Sequence, residues 1–123
     1  MTAGDDALDA WLRADGEPAD PDATERALTL TRALRPEVDD IDGRTVLRAP
    51  GGVAFAAVAG RRVLVRAKGA PGTLEAVPVD GLAHWFAFDP WPDDVGFRRG
   101  TDVLRDVLRD AFERANAVDK SRA

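Results

Sequence analysis

The residues best suited to chemistry lie in one short stretch, HWFAFDPWPDDVGF, which spans residues 84–97. It contains the only histidine of the chain, His84, together with Trp85, Trp91 and Asp94. Aromatic side chains around a few polar groups are typical of a small-molecule pocket. We therefore take these four residues as candidate ligand-binding residues, with His84 and Asp94 as the polar groups of an aromatic-walled site.

The same stretch is also typical of a hydrophobic core. On a β-strand, His84, Phe86 and Phe88 would share one face, while Trp85 and Ala87 would share the other. Burying such an aromatic row stabilises a fold by roughly 1.5–3 kcal/mol per side chain. We therefore expect Phe86 and Phe88 to belong to the core. Alternation fixes only relative facing, so the choice between core and pocket stays open for the tryptophans.

The composition argues against most catalytic chemistry. The chain has no cysteine and no tyrosine, and its one serine is Ser121, near the end of the sequence. A lone histidine acts as a general base only with a nucleophile or a second acid within hydrogen-bond reach. The DPWPDD turn offers carboxylates, but its spacing lacks the glycine-centred loop of a calcium site. The glycine-rich segments 49–52 and 68–72 do not match a phosphate-binding loop. We predict no catalytic residue, no metal and no cofactor.

Charge is distributed unevenly along the chain. The formal charge is −8 over residues 1–42, +5 over residues 43–79 and −2 over residues 80–123, for a total of −5. An acidic N-terminal third therefore precedes a basic middle segment. Such an asymmetry predicts either charge pairing within the molecule or a charged partner.

Arg61, Arg62, Arg66 and Lys68 surround the tip of a predicted hairpin and are the candidate partner-binding residues. They could contact phosphate groups. Against that, the isoelectric point near 4.8 is unlike that of a nucleic-acid-binding domain. No aromatic residue is interleaved with them for base stacking. We favour pairing with the acidic N-terminal helices within the molecule, followed by a protein partner and then by nucleic acid.

The periodicity of apolar residues predicts an α+β fold. Residues 5–16 form a short helix, a second helix starts at Asp22, and a strongly amphipathic helix starts at Thr101. Alternating segments lie between the second and third helices, and Asp42-Gly43 is a hairpin signal. We predict an antiparallel sheet of three to five strands, packed on one face by N-terminal helices and by a C-terminal amphipathic helix.

Length and composition predict one domain over residues 1–123. Whether residues 1–20 pack against the rest or form a loose appendage stays open, and residues 118–123 are expected to be a disordered tail. The N-terminal residues are acidic, and no apolar run reaches the roughly 18 residues of a membrane span. We therefore expect a cytoplasmic protein. The excess of arginine over lysine suggests a bacterium with a high-GC genome.

The hairpin region resembles a known family of small domains. The residues that carry the resemblance are Gly51, Gly52, Phe55, Gly60, Val63, Val65 and Arg66. Over residues 24–117 the chain is similar to MmcQ/YjbR-type domains and to the N-terminal domain of TfoX-type competence regulators. The resemblance implies a compact α+β module with no established enzymatic activity. It also implies a DNA-binding hairpin wing, which would correspond here to Arg61, Arg62, Arg66 and Lys68.

These observations lead to three hypotheses about function. The leading one is a non-enzymatic cytoplasmic binding module that engages a protein partner. The first alternative is a small-molecule-binding protein or enzyme that uses the aromatic segment 84–97. The second is a nucleic-acid-binding domain of the winged-hairpin kind. The sequence does not predict an oligomeric state.

Overall fold

The computed structural model describes residues 3–67, 76–91 and 97–122. Within these residues the elements follow one another as α1 (Ala3–Ala14), α2 (Pro21–Leu30), a 3-10 turn (Arg32–Leu34), β1 (Glu37–Ile41), β2 (Arg44–Arg48), β3 (Ala54–Ala59), β4 (Arg62–Arg66), β5 (Val77–Pro78), β6 (Trp85–Phe88) and α3 (Phe97–Arg122). The predicted α+β class is confirmed. No helix among the described residues is both long enough and apolar enough to cross a membrane.

The strands form one antiparallel sheet in the order β1-β2-β3-β4-β6-β5. The predicted hairpin turn is present, since Asp42 and Gly43 both have positive φ angles, of 50° and 88°. The described part of the sheet has six strands, so the predicted range of three to five was too low. The additional strand is β5, which has only two residues because Pro78 offers no N–H to a longer ladder. β5 lies at the edge of the sheet, as expected for a segment that contains proline.

Helices cover both faces of the sheet, so the prediction that they pack on one face is wrong. α1 lies on one face, called here the α1 face. Its buried apolar residues are Leu8, Leu12, Ile41, Val46, Ala54, Ala57, Ala59, Leu64, Leu82 and Trp85. α2 and α3 lie on the opposite face, called here the α3 face. Its buried residues include Ala27, Leu30, Leu47, Phe55, Val58, Val63, Val65, Phe88, Leu104, Leu108 and Ala111. β3 is buried along its whole length because it faces a helix layer on both sides.

A β-bulge in β3 changes which residues share a face. The register between β2 and β3 shifts so that Phe55 has no partner residue in β2. Because a bulge adds one residue to one strand, Phe55 and Ala56 both reach the α3 face. Strict alternation along a strand would place Ala57 on the same side as Phe55, but Ala57 lies on the α1 face. After the bulge, the alternation is therefore shifted by one position.

The first two helices are fixed by local signals and by burial. Leu8 and Leu12 of α1 have no exposed surface, so this helix is part of the core. α2 begins at Pro21, one residue before the predicted start at Asp22. Asp20 is its N-cap, and the Asp20 carboxylate accepts a hydrogen bond from the Ala23 N–H at 3.0 Å. A proline at the first helical position favours this earlier start, because it has no N–H to leave unpaired.

α3 begins at Phe97, one turn before the predicted cap Thr101. The Thr101 hydroxyl instead accepts a hydrogen bond from the Arg26 guanidinium at 2.8 Å. The buried stripe of α3 packs on β3 and β4, where the Phe112 ring meets the Phe55 ring edge-on with centroids 5.3 Å apart. The helix continues to Arg122, through residues that the sequence placed in a tail.

Candidate interaction groove

The segment between α1 and α2 crosses the turns of two hairpins and fixes them to each other. The Ala19 N–H donates to the Gly43 carbonyl at 2.9 Å, in the turn between β1 and β2. In the turn between β3 and β4, the Gly60 N–H donates to the Glu17 carbonyl at 3.1 Å. The Gly60 carbonyl accepts from the Asp20 N–H at 2.8 Å. Five backbone positions therefore hold α1, α2 and both hairpin tips at one edge of the molecule.

A groove opens on the α1 face beside this junction. It lies between the C-terminal end of α1 and the turn after β5, and its volume is about 580 Å³. The residues that line it are Trp11, Asp15, Glu17, Ala59, Gly60, Arg61, Arg62, Leu64, Val79, Asp80 and Ala87. Ala59, Leu64 and Ala87 come from β3, β4 and β6, so the sheet itself supplies an apolar floor. We refer to this surface as the groove.

Trp11 forms one wall of the groove and connects its two sides. The indole N–H of Trp11 donates to the Asp80 carbonyl oxygen at 3.0 Å. This bond fixes the half-buried ring and joins α1 to the turn after β5. A large amphipathic side chain held by one hydrogen bond is typical of binding surfaces, because little conformational entropy is lost when a partner docks.

The rim of the groove carries charges of both signs. Asp15, Glu17, Asp80, Arg61 and Arg62 are all exposed. The Arg61 guanidinium is already engaged in two contacts. It lies 3.3 Å from the Asp20 carboxylate and 5.2 Å above the ring of Trp91. Arg62 has no ion pair with any residue that the structure describes.

The predicted partner-binding residues do not form one cluster. Arg61 and Arg62 lie together on the rim of the groove. Arg66 lies at the other end of β4, four residues and about 13 Å from Arg62. It is half-buried and lies 5.1 Å above the ring of Trp85. Lys68 lies outside the described residues.

The acidic N-terminal segment pairs with the basic middle segment, as the charge pattern predicted. Arg48 lies 3.7 Å from the Asp9 carboxylate of α1 and 3.5 Å from that of Asp39. The Arg48 and Asp9 side chains are only 13% and 18% exposed, so this pair holds α1 against the sheet in a largely dry position. Asp20 of the acidic segment and Arg61 of the basic segment form a second ion pair between the two segments.

The structure does not bring the aromatic candidate residues together. His84 is exposed in a turn, with a positive φ angle of 68°, and its carbonyl accepts from the Ala67 N–H. Trp85 is 2% exposed and belongs to the core of the α1 face. Trp91 lies beside α2, towards the α3 face. Asp94 lies outside the described residues.

The facing of the β6 side chains was predicted correctly. Phe86 and Phe88 pack with the residues of the α3 face, and Trp85 and Ala87 pack with those of the α1 face. His84 precedes the strand, and the left-handed backbone there removes it from the alternation. The described part of this stretch is therefore mainly core.

A second, smaller cavity of about 280 Å³ lies beside α2. Its lining residues are Asp22, Glu25, Arg26, Thr29 and Trp91. Arg26 is occupied there with structural contacts, to the Pro90 carbonyl at 3.1 Å and to the Thr101 hydroxyl. Burial lowers the pKa of the Arg26 guanidinium, and the nearby Arg105 lowers it further. The cavity therefore lies around Arg26, whose side chain connects α2 to α3.

Sequence reasoning missed most of the groove. Trp11, Asp15, Glu17 and Asp80 are not among the candidate residues that the sequence predicts. A tryptophan in the last turn of a short helix, followed by two carboxylates, was the available signal. This signal could not be interpreted without knowing where α1 lies on the sheet.

No group of three or more metal-ligating side chains occurs within the described ranges. Comparisons of the chain with protein-family models, curated proteins and solved structures found no significant match. The resemblance to MmcQ/YjbR-type and TfoX-type domains stays a prediction.

Proposed function

We propose that this protein is a non-enzymatic cytoplasmic binding module that engages a protein partner through the groove. The observation that carries the proposal is the combination of an apolar floor with a charged rim in one open groove of about 580 Å³. Apolar centres surrounded by polar rims are typical of protein–protein contact sites.

The shape of the groove favours a macromolecular partner over a small metabolite. Its floor consists of two alanines and Leu64, and it is open to solvent along the rim. A small ligand is bound by burying most of its surface in a concave pocket. A partner's segment would cover the groove and also contact the rim.

The chemistry of the lining residues supports binding without catalysis. Among the residues that the structure describes, the lining includes no histidine, serine or threonine. Its three carboxylates, Asp15, Glu17 and Asp80, are all exposed, whereas catalytic acids and bases act in sites that exclude water.

Nucleic acid fits the groove less well than protein does. A phosphate backbone needs several free cations along its path. Of the candidate arginines, Arg61 is neutralised by Asp20, and Arg66 lies over Trp85. Arg62 shares the groove with three carboxylates, which would repel phosphate.

Site-specific photo-crosslinking in cells that produce the protein tests the proposal. A photoreactive amino acid replaces Arg62 in one variant and Arg109, on the exposed side of α3, in a control variant. We expect a discrete crosslinked protein with the probe at position 62 and none with the probe at position 109. Equal labelling from both positions, or none from position 62, would contradict the proposed docking surface.

A further inference from the structure

We infer that the occupant of the groove is a basic segment of the partner, in which a Lys or Arg side chain is adjacent to an apolar one. This inference rests on the proposed function and adds the chemical class of the partner. It follows from the charges that remain unpaired around the groove and from the apolar surface between them.

The unpaired charges of the rim are mainly negative. Asp15, Glu17 and Asp80 have no cationic partner within the part of the chain that the structure describes. The two rim guanidiniums are not equivalent, because Arg61 is held by Asp20 and by the ring of Trp91. Three free carboxylates therefore face one free guanidinium, that of Arg62. A partner that neutralises the rim must bring more positive than negative charge.

The apolar surface of the groove determines the second requirement. The floor residues Leu64, Ala59 and Ala87 offer a small apolar area, which a short apolar side chain of the partner can cover. The wall is the Trp11 indole, whose N–H is already bonded to the Asp80 carbonyl. An indole ring attracts cations and packs against the methylene groups of lysine and arginine. A basic residue can contact the indole wall and the carboxylates of the rim, while an apolar residue beside it covers the floor.

A second copy of this chain is a poor occupant. Each copy carries a net charge of −5, which opposes association. Three arginines on the exposed side of α3 are also engaged within their own helix. Arg105, Arg109 and Arg114 pair with Asp102, Asp106 and Asp110, respectively. We therefore assign the basic segment to a different protein.

Selection from a library of short random displayed peptides tests the inference with the intact protein. Peptides enriched on the protein are sequenced, synthesised and titrated into isotopically labelled protein, and amide chemical shifts locate each binding site. We expect peptides that perturb residues 59–64 and 79–87 to be rich in lysine or arginine next to apolar residues.

Two matched variants separate local from general electrostatics. The groove variant combines Asp15→Asn, Glu17→Gln and Asp80→Asn. The control variant removes as many carboxylates from the exposed side of α3, through Asp102→Asn, Asp106→Asn and Asp110→Asn. We expect the groove variant to bind the selected peptides about tenfold more weakly, because it removes three exposed charge pairs that each contribute modestly to binding. The control variant should retain most of the affinity, and thermal melting verifies that both are folded.

The possible outcomes distinguish the inference from the proposed function. Acidic peptides that bind in the groove would overturn the inference and leave the groove as a docking surface. Basic peptides that bind the two variants equally would also overturn it, because binding would then follow net charge alone. If no enriched peptide perturbs the groove residues, both the inference and the proposed function fail.

Discussion

The two faces of the sheet differ in how completely they are covered. On the α3 face, two helices bury a continuous core that includes aromatic residues of β3 and β6. On the α1 face, one helix of 12 residues covers β1 to β3, and the turn after β5 covers β6. The hydrogen bond from Trp11 to the Asp80 carbonyl joins these two covers, and the groove lies beside that bond.

This difference separates stability from binding. The α3 face buries more side chains than the α1 face among the described residues, including the aromatic rings of Phe55 and Phe88, so we expect it to contribute more to stability. The α1 face places alanines on the floor where β3 and β6 pass beneath the groove. Small floor residues under an incomplete cover create a concave surface without removing much of the core.

The largest effect is expected from truncating the α3 face. Phe55→Ala removes a fully buried ring that packs against Phe112, and it should lower the free energy of unfolding by about 3–5 kcal/mol. Urea denaturation measures this loss. Phe86→Ala, at a half-buried position of the same face, is the control and should cost clearly less. Similar losses for the two variants would show that Phe55 is not more tightly packed in this face than Phe86 is.

The next largest effect concerns the ion pair that holds α1 on its face. Arg48→Met leaves the Asp9 carboxylate largely buried without its cation, and we expect a loss of roughly 2 kcal/mol. The double variant Arg48→Met/Asp9→Leu removes both charges and should recover most of the stability. The measurement is again the free energy of unfolding in urea. Additive losses in the double variant would contradict this coupling.

A smaller effect is expected at the junction beneath the groove. Gly60 has a φ angle of 56°, where an L-residue is disfavoured by about 1–2 kcal/mol. An added Cβ would also lie 2.9 Å from a Glu17 carboxylate oxygen. We expect Gly60→Ala to lower the melting temperature. Adding Glu17→Ala should recover only the part of this loss that comes from the close contact with Glu17. Full recovery would show that the backbone angle costs little.

The smallest effect on stability is expected on the rim of the groove. Arg62→Ala removes an exposed side chain with no ion pair to a described residue, so the free energy of unfolding should change by less than about 0.5 kcal/mol. Arg61→Ala should cost somewhat more because Arg61 contacts Asp20 and Trp91. Melting temperatures compare the two. A larger loss at Arg62 would indicate a structural role there.

The sequence predicted what depends on local periodicity and turn chemistry. The Asp42-Gly43 hairpin and the facing of Phe86 and Phe88 were both predicted correctly. Each depends on a signal within a few residues. The pairing between the acidic and basic segments was also predicted, because the uneven distribution of charge can be read directly from the sequence.

The groove could not be predicted because it depends on long-range placement. Nothing in residues 5–16 indicates which face of the sheet α1 covers, and that choice places Trp11 beside Asp80 across 69 positions of sequence. The bulge at Phe55 could not be predicted either. A bulge shows in a sequence as a break in the alternation of apolar and polar residues, and this strand is apolar throughout. Candidate residues chosen by type, such as His84, were therefore separated by the fold.

Hydrogen–deuterium exchange of the purified protein, alone and bound to the protein captured by crosslinking, tests the docking surface most directly. We predict that exchange slows in residues 59–64 and 79–88, which form the floor and one wall of the groove, and stays unchanged on the exposed side of α3. Slower exchange confined to α3, with no change at the groove, would contradict the assignment of the α1 face as the binding surface.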